Sequence, residues 1–109
     1  MSRITTHVLD TVQGRPAEAI PILLEASRNS AWVLVRDSAT DEDGRCRDLA
    51  NNAERGRYRL TFVIGPYLRK LGRSSIYPEV SVTFECDGTG HYHLPLLLSD
   101  NCYTTYRGS

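Results

Sequence analysis

Three histidines carry the clearest chemical potential in this chain, because an imidazole titrates near neutrality. His7 stands near the start, and His91 and His93 lie two apart near the end. In a strand, residues two apart share a face. Tyr92, Leu94, Leu96 and Leu98 would then take the opposite, apolar face. The pair points away from the core, to be solvated or to line a groove or a subunit interface. His7 shares its face with Thr5 and Leu9, which fits a structural histidine at a sheet edge equally well. Arg45 follows the Asp43-Gly44 turn. It reads as a solvated loop cation or as a rigid fork for an anionic or carbonyl-rich substrate. Arg47, Arg55, Arg57 and Arg59 lie nearby, and nothing intrinsic separates Arg45 from them. Tyr106-Arg107-Gly108-Ser109 follows a strand-like run directly. A terminus is normally frayed and tolerant of change, whereas this one sets an aromatic, a cation and a hydroxyl side by side.

Other chemistries find less support. His7, His91 and His93 could supply three zinc ligands, but same-face strand positions are not a specific metal signature. Cys46, Cys86 and Cys102 are widely spaced with no CxxC pair, so reduced thiols are expected and a zinc site is not. There is no G-x-S-x-G elbow and no glycine-rich phosphate loop.

The elements that must hold these residues show a period of two. Tyr58, Leu60, Phe62 and Ile64 share one face, as do Val80, Val82, Phe84 and Cys86. This is the pattern of half-buried strands. Ile20, Ile22, Leu24 and Ala26 form a third set, with Pro21 assigning its start to a sheet edge. Ala31 to Arg36 is apolar on both faces. Thr6–Thr11, Tyr92–Leu98 and Cys102–Tyr106 bring the count to about seven strands. Ser38 to Asn52 is the longest polar stretch. Pro66 to Leu71 is the one plausible helix, with Pro66 in its first turn and Gly72 just past its end. Many short strands separated by turns predict an antiparallel sandwich.

With 109 residues, the chain is expected to be one domain, residues 1–109. Acidic and basic residues balance at 13 each, so no net field points to nucleic acid or to an anionic membrane. No apolar run approaches the roughly 20 residues of a spanning helix, and no secretion signal is visible. A cytoplasmic location is the expectation.

Several segments, taken in order, resemble the signature of the 5-hydroxyisourate hydrolase branch of the transthyretin-like family. They are Ile4-Thr5-Thr6-His7-Val8-Leu9-Asp10-Thr11, Gly14-Arg15-Pro16-Ala17, Thr40-Asp41-Glu42-Asp43-Gly44-Arg45-Cys46 and Tyr58-Arg59-Leu60-Thr61-Phe62. Tyr77-Pro78-Glu79-Val80, His93-Leu94-Pro95-Leu96-Leu97-Leu98-Ser99 and Tyr103-Thr104-Thr105-Tyr106-Arg107-Gly108-Ser109 complete the set. The resemblance implies an all-β sandwich of two antiparallel sheets with one short helix. It implies hydrolysis of 5-hydroxyisourate to 2-oxo-4-hydroxy-4-carboxy-5-ureidoimidazoline in urate degradation, without metal or organic cofactor. It assigns catalysis to His7, Arg45, His93 and Ser109, and substrate binding to Tyr106, Arg107 and Gly108. His91 lies outside the shared motif and has a supporting role at best. A homotetramer with sites at a dimer interface is implied too. The alternative is a small-ligand or hormone carrier of the transthyretin type, a branch that lacks this histidine set and ending. The chain departs from the usual pattern at Asp100-Asn101-Cys102, Thr104 and Arg47.

Overall fold

Alternating apolar residues give each strand one face to bury, and two such faces closed on each other make a sandwich. The computed structural model describes residues 1–109. In chain order the elements are β1 (Ser2–Asp10), β2 (Arg15–Pro16), β3 (Pro21–Arg28), β4 (Ala31–Ala39), β5 (Arg45–Ala53), β6 (Gly56–Phe62), α1 (Gly65–Lys70), β7 (Val80–Cys86), β8 (His91–Leu98) and β9 (Tyr103–Thr105). One sheet runs β4-β3-β6-β7, with all neighbours antiparallel. In the other, β1 is central, with β8 and then β9 on one side and β5 and β2 on the other.

This second sheet is mixed, a detail the alternation alone did not carry. β1 and β8 run parallel, in register from Arg3–His91 to Asp10–Leu98. A parallel pair cannot be closed by a tight turn and needs a long connection. Here residues 11–90, most of the chain, form that connection.

The core lies between the sheets. Ile4, Val8, Leu94, Leu96 and Leu98 face Ile22, Leu24, Leu60 and Phe62 within one buried apolar cluster. Each such side chain is worth about 1.5–3 kcal/mol in removed apolar surface. β3 is a central strand, not an edge as Pro21 suggested. Pro21 occupies its first position, where a missing N–H is tolerated. Asn29 and Ser30 both adopt positive φ, and this two-residue turn closes β3 onto β4. β4 is an edge strand with Val33, Leu34 and Val35 exposed.

The helix begins one residue before the expected Pro66 and ends at Lys70. It packs through the fully buried Leu68. Beside it, Arg73 donates to Asp10 (2.6 and 3.2 Å) and to Asp100 (2.7 Å), and the Tyr67 hydroxyl donates to Asp10 (2.8 Å). Asp10 is fully buried. Burial pushes its carboxyl up, but Arg73, Tyr67 and the Gln13 N–H outweigh it and hold it below the usual carboxylate range. Burial and this carboxylate push the Tyr67 phenol up to about 12. The helix region, β1 and the β8–β9 turn are thereby tied together. No helix is long and apolar enough to cross a membrane.

Candidate active site

The outer face of the β1 sheet is built by register. Residues paired across strands project to the same face as close neighbours. Arg3 pairs with His91 and Thr5 with His93. On the other side of β1, His7 pairs with Arg45. Three strands thus set His7, His91, His93 and Arg45 on one polar surface, while Val8, Leu94 and Leu96 bury the opposite face.

A tight turn fixes Arg45. The Asp41 carboxylate accepts from the backbone N–H groups of Asp43 (2.9 Å) and Arg45 (3.0 Å), and Gly44 N–H donates to Asp41 O (2.9 Å). Gly44 has φ +73°, and a Cβ there would lie 2.5 Å from the Val8 carbonyl oxygen. Only glycine meets both demands. The turn therefore docks onto β1, and Arg45 begins β5 beside His7. The same turn orients His7, whose Nε2 lies 2.9 Å from Asp43 O. A carbonyl only accepts, so this nitrogen carries the proton and Nδ1 is left as an acceptor.

Both histidines are biased toward the neutral form. Partial burial lowers the pKa of His7, and the Arg45 guanidinium lowers it further. Burial also lowers that of His93, followed by His91, Arg45 and His7. A neutral imidazole near pH 7 is a competent proton acceptor.

His93 lines a hollow of about 200 Å³ with Arg3, Thr5, Thr6, Arg45, Arg47, His91 and Ser109. None of the lining residues is hydrophobic. His7 stands beside this hollow, next to Arg45, and is not in its lining. Of the final four residues, Ser109 enters the hollow. Gly108 N–H donates to His93 O (2.7 Å), pairing the end of the chain with β8. A Cβ on Gly108 would come within 2.8 Å of His93 Cδ2. Arg107 instead stacks over the Tyr92 ring at 4.1 Å, and Tyr106 is exposed. Neither lines the hollow.

Four lining residues, Arg3, Thr5, Thr6 and Arg47, escaped sequence reasoning. Thr5 shares a face with His7, but its partner His93 becomes visible only through the parallel pairing. Arg3 and Arg47 had no feature to distinguish them from other surface cations. Arg47 also reaches Asp41 at 3.4 Å. No group of three His, Cys, Asp or Glu side chains forms a metal-holding set. The three cysteines are free thiols.

The arrangement as a whole has relatives. A family model described as the HIUase/Transthyretin family matches residues 4–108. The chain belongs to this family. Its similarity to a Mus musculus 5-hydroxyisourate hydrolase is 44% identity over 115 residues, covering 99% of this chain and 96% of that protein. Against a Salmonella typhimurium 5-hydroxyisourate hydrolase it is 38% over 109 residues, covering 97% and 80%. Among solved structures, a Klebsiella pneumoniae 5-hydroxyisourate hydrolase superposes with a TM-score of 0.90 at 32% identity, with both chains fully covered. Transthyretin from Sparus aurata gives 0.92 at 28% identity, covering 97% and 96%. The HIUase/Transthyretin fold thus serves proteins with two different kinds of name, and the site must decide between them.

The departure from the usual family pattern at the last turn has a structural account. Asp100 accepts from Arg73 (2.7 Å), Asn101 Oδ1 accepts the Ile76 N–H (2.9 Å), and Ser99 N–H donates to Cys102 O (2.9 Å). These bonds hold the turn.

Proposed function

We infer that this protein hydrolyses 5-hydroxyisourate, opening its six-membered ring at an acyl–nitrogen bond to give 2-oxo-4-hydroxy-4-carboxy-5-ureidoimidazoline. The observation that carries this reading is the lining of the hollow: histidine, arginine, threonine and serine, without one apolar side chain. A carrier for an apolar hormone needs apolar walls. A flat, acidic, carbonyl-rich heterocycle needs cations and hydrogen-bond donors.

In this reading His93, assisted by His7, orients a water and takes its proton as it attacks the ring carbonyl. Burial biases both imidazoles toward the neutral form, helped by the Arg45 charge at His7 and by His91 and then Arg45 at His93. Arg45 binds the substrate and offsets the negative charge that develops on the carbonyl oxygen. The proton returns to the leaving ring nitrogen. Ser109 contributes a hydrogen bond and is not a nucleophile. Gly108 seats the end segment against His93, and Tyr106 and Arg107 complete the wall of the site when a partner subunit closes over it. No metal or organic cofactor takes part. The working form in this proposal is a cytoplasmic homotetramer with each site at a subunit interface.

The test is direct. 5-Hydroxyisourate is generated with urate oxidase, and its ultraviolet decay is followed with and without the protein. Acceleration over spontaneous decay is expected. An unchanged decay refutes the assignment. Light scattering after size exclusion should report about four chain masses, and an active monomer removes the interface from the model.

A further inference from the structure

Thr5 is 3% exposed, and its hydroxyl sits between two rings. Oγ1 lies 2.7 Å from His91 Nε2 and 2.7 Å from His93 Nδ1. A hydroxyl has one proton to donate. Enclosed between two ring nitrogens, it donates to one and accepts from the other, which links the tautomers of the two histidines. If Thr5 donates to His93 Nδ1, a neutral His93 carries its own proton on Nε2 and cannot act as a base there. If Thr5 donates to His91 Nε2, it accepts from His93 Nδ1–H, and His93 Nε2 keeps a free lone pair. Nε2 makes no hydrogen bond to the chain, and Gly108 packs against the adjoining Cδ2 edge. The ring is therefore gripped on one side by Thr5 and on the other by Gly108, with Nε2 left for the reaction.

We propose that Thr5 and His91 are positioning residues that lock His93 in the tautomer with its proton on Nδ1. Thr5 O–H donates to His91 Nε2, His93 Nδ1–H donates to Thr5 Oγ1, and neither Thr5 nor His91 needs to touch the substrate. Sequence separations of 86 and 88 residues hide this triad from local pattern reading. Register explains how it is built. Thr5 stands opposite His93, and Arg3, two residues before it, stands opposite His91. The threonine hydroxyl thus reaches both rings. The proposal deepens the hydrolytic reading above and rests on it for the role of Nε2.

Its test combines nitrogen-15 NMR of the histidine rings in the full chain with steady-state kinetics. In the unmodified protein His93 should show its proton on Nδ1. Thr5→Val keeps the shape and removes the hydroxyl. It should shift His93 toward the Nε2–H tautomer and lower kcat about 10²-fold, the low end of a general base's contribution, with KM little changed. Thr5→Ser should restore both the spectrum and kcat. His91→Ala, a change at an exposed position, should give the same spectral shift and a smaller loss of kcat. A Thr5→Ser protein as impaired as Thr5→Val, or an Nε2–H tautomer in the unmodified protein, overturns the proposal. If Thr5→Val does not fold, the serine and His91→Ala spectra still decide. A protein without hydrolytic activity but with His93 protonated on Nδ1 would refute the function and leave the lock intact, so the two failures are distinguishable.

Discussion

Replacing Gly108 by alanine should disable the site while leaving the sandwich standing. The added Cβ would lie 2.8 Å from His93 Cδ2, 3.4 Å from Pro95 Cγ and 3.5 Å from His93 O. Comfortable carbon–carbon contact begins near 3.5 Å, so about 0.7 Å must be found. The backbone can supply little of it, because Gly108 N–H is bonded to His93 O at 2.7 Å. The imidazole must swing, and Thr5 resists on its far side. A displacement approaching 1 Å at a reacting group costs about 10² in rate. The overpacking itself should cost about 1–3 kcal/mol, and less if the end segment lifts away. Gly56→Ala is the matched control, since a Cβ there meets nothing within 4 Å. The assay is kcat/KM from 5-hydroxyisourate decay beside the urea midpoint. A Gly108→Ala protein with the same kcat/KM as Gly56→Ala would refute the idea that the end segment sets the His93 ring.

Asp10→Asn should destabilise the fold by about 3–5 kcal/mol in urea unfolding, because Arg73 loses its buried counter-charge; a loss below about 1 kcal/mol, typical of an exposed pair, would contradict that burial. The pH dependence of kcat/KM follows from the lowered pKa values of His7 and His93. With both values lowered the neutral forms still predominate at pH 6.5, so activity should persist there and fall further into acid. Arg45→Gln removes one of the lowering charges, and its acid limb should move up toward pH 6.5; a limb already at or above that value in the unmodified protein would sink this account. Arg45→Lys should also show a reduced kcat/KM, since an ammonium does not reproduce the guanidinium fork, and unchanged kinetics would return Arg45 to the status of a loop cation.

The strands with clean alternation were legible because one face of each is buried. Tyr58–Ile64, Val80–Cys86 and Tyr92–Leu98 all read correctly as strands, although the first of these ends at Phe62. β5 did not read as a strand at all. Its buried residues are Cys46, Leu49 and Ala53, spaced three and four apart. Register shifts between Ser2 and Ile4, and again between Ile4 and Thr6, break the period of two. Asp48, Asn51 and Asn52 add residues that strands disfavour. With β5 missed, residue pattern left Arg45 no different from its neighbouring arginines, because its pairing with His7 exists only once β5 is a strand; the family resemblance alone singled it out. The outward direction of His91 and His93 was legible from the leucines between and after them. Their shared hydroxyl was not, since alternation names a face but never the neighbouring strand.

The parallel pairing of β1 with β8 makes the site a late product of folding. Joining Thr5 to His91 and His93 closes loops of 86 and 88 residues. The length-dependent part of that closure costs on the order of 4 kcal/mol in chain entropy. Topologies dominated by such distant pairings fold in milliseconds to seconds. The β3–β4 hairpin can form from nearby residues, whereas β1 waits for most of its partners. During synthesis β1 emerges well before β8 and cannot pair with it until β8 follows. Regain of hydrolysis after dilution from denaturant should therefore lag behind the recovery of strand signal, because the chemistry needs the two ends of the chain to meet.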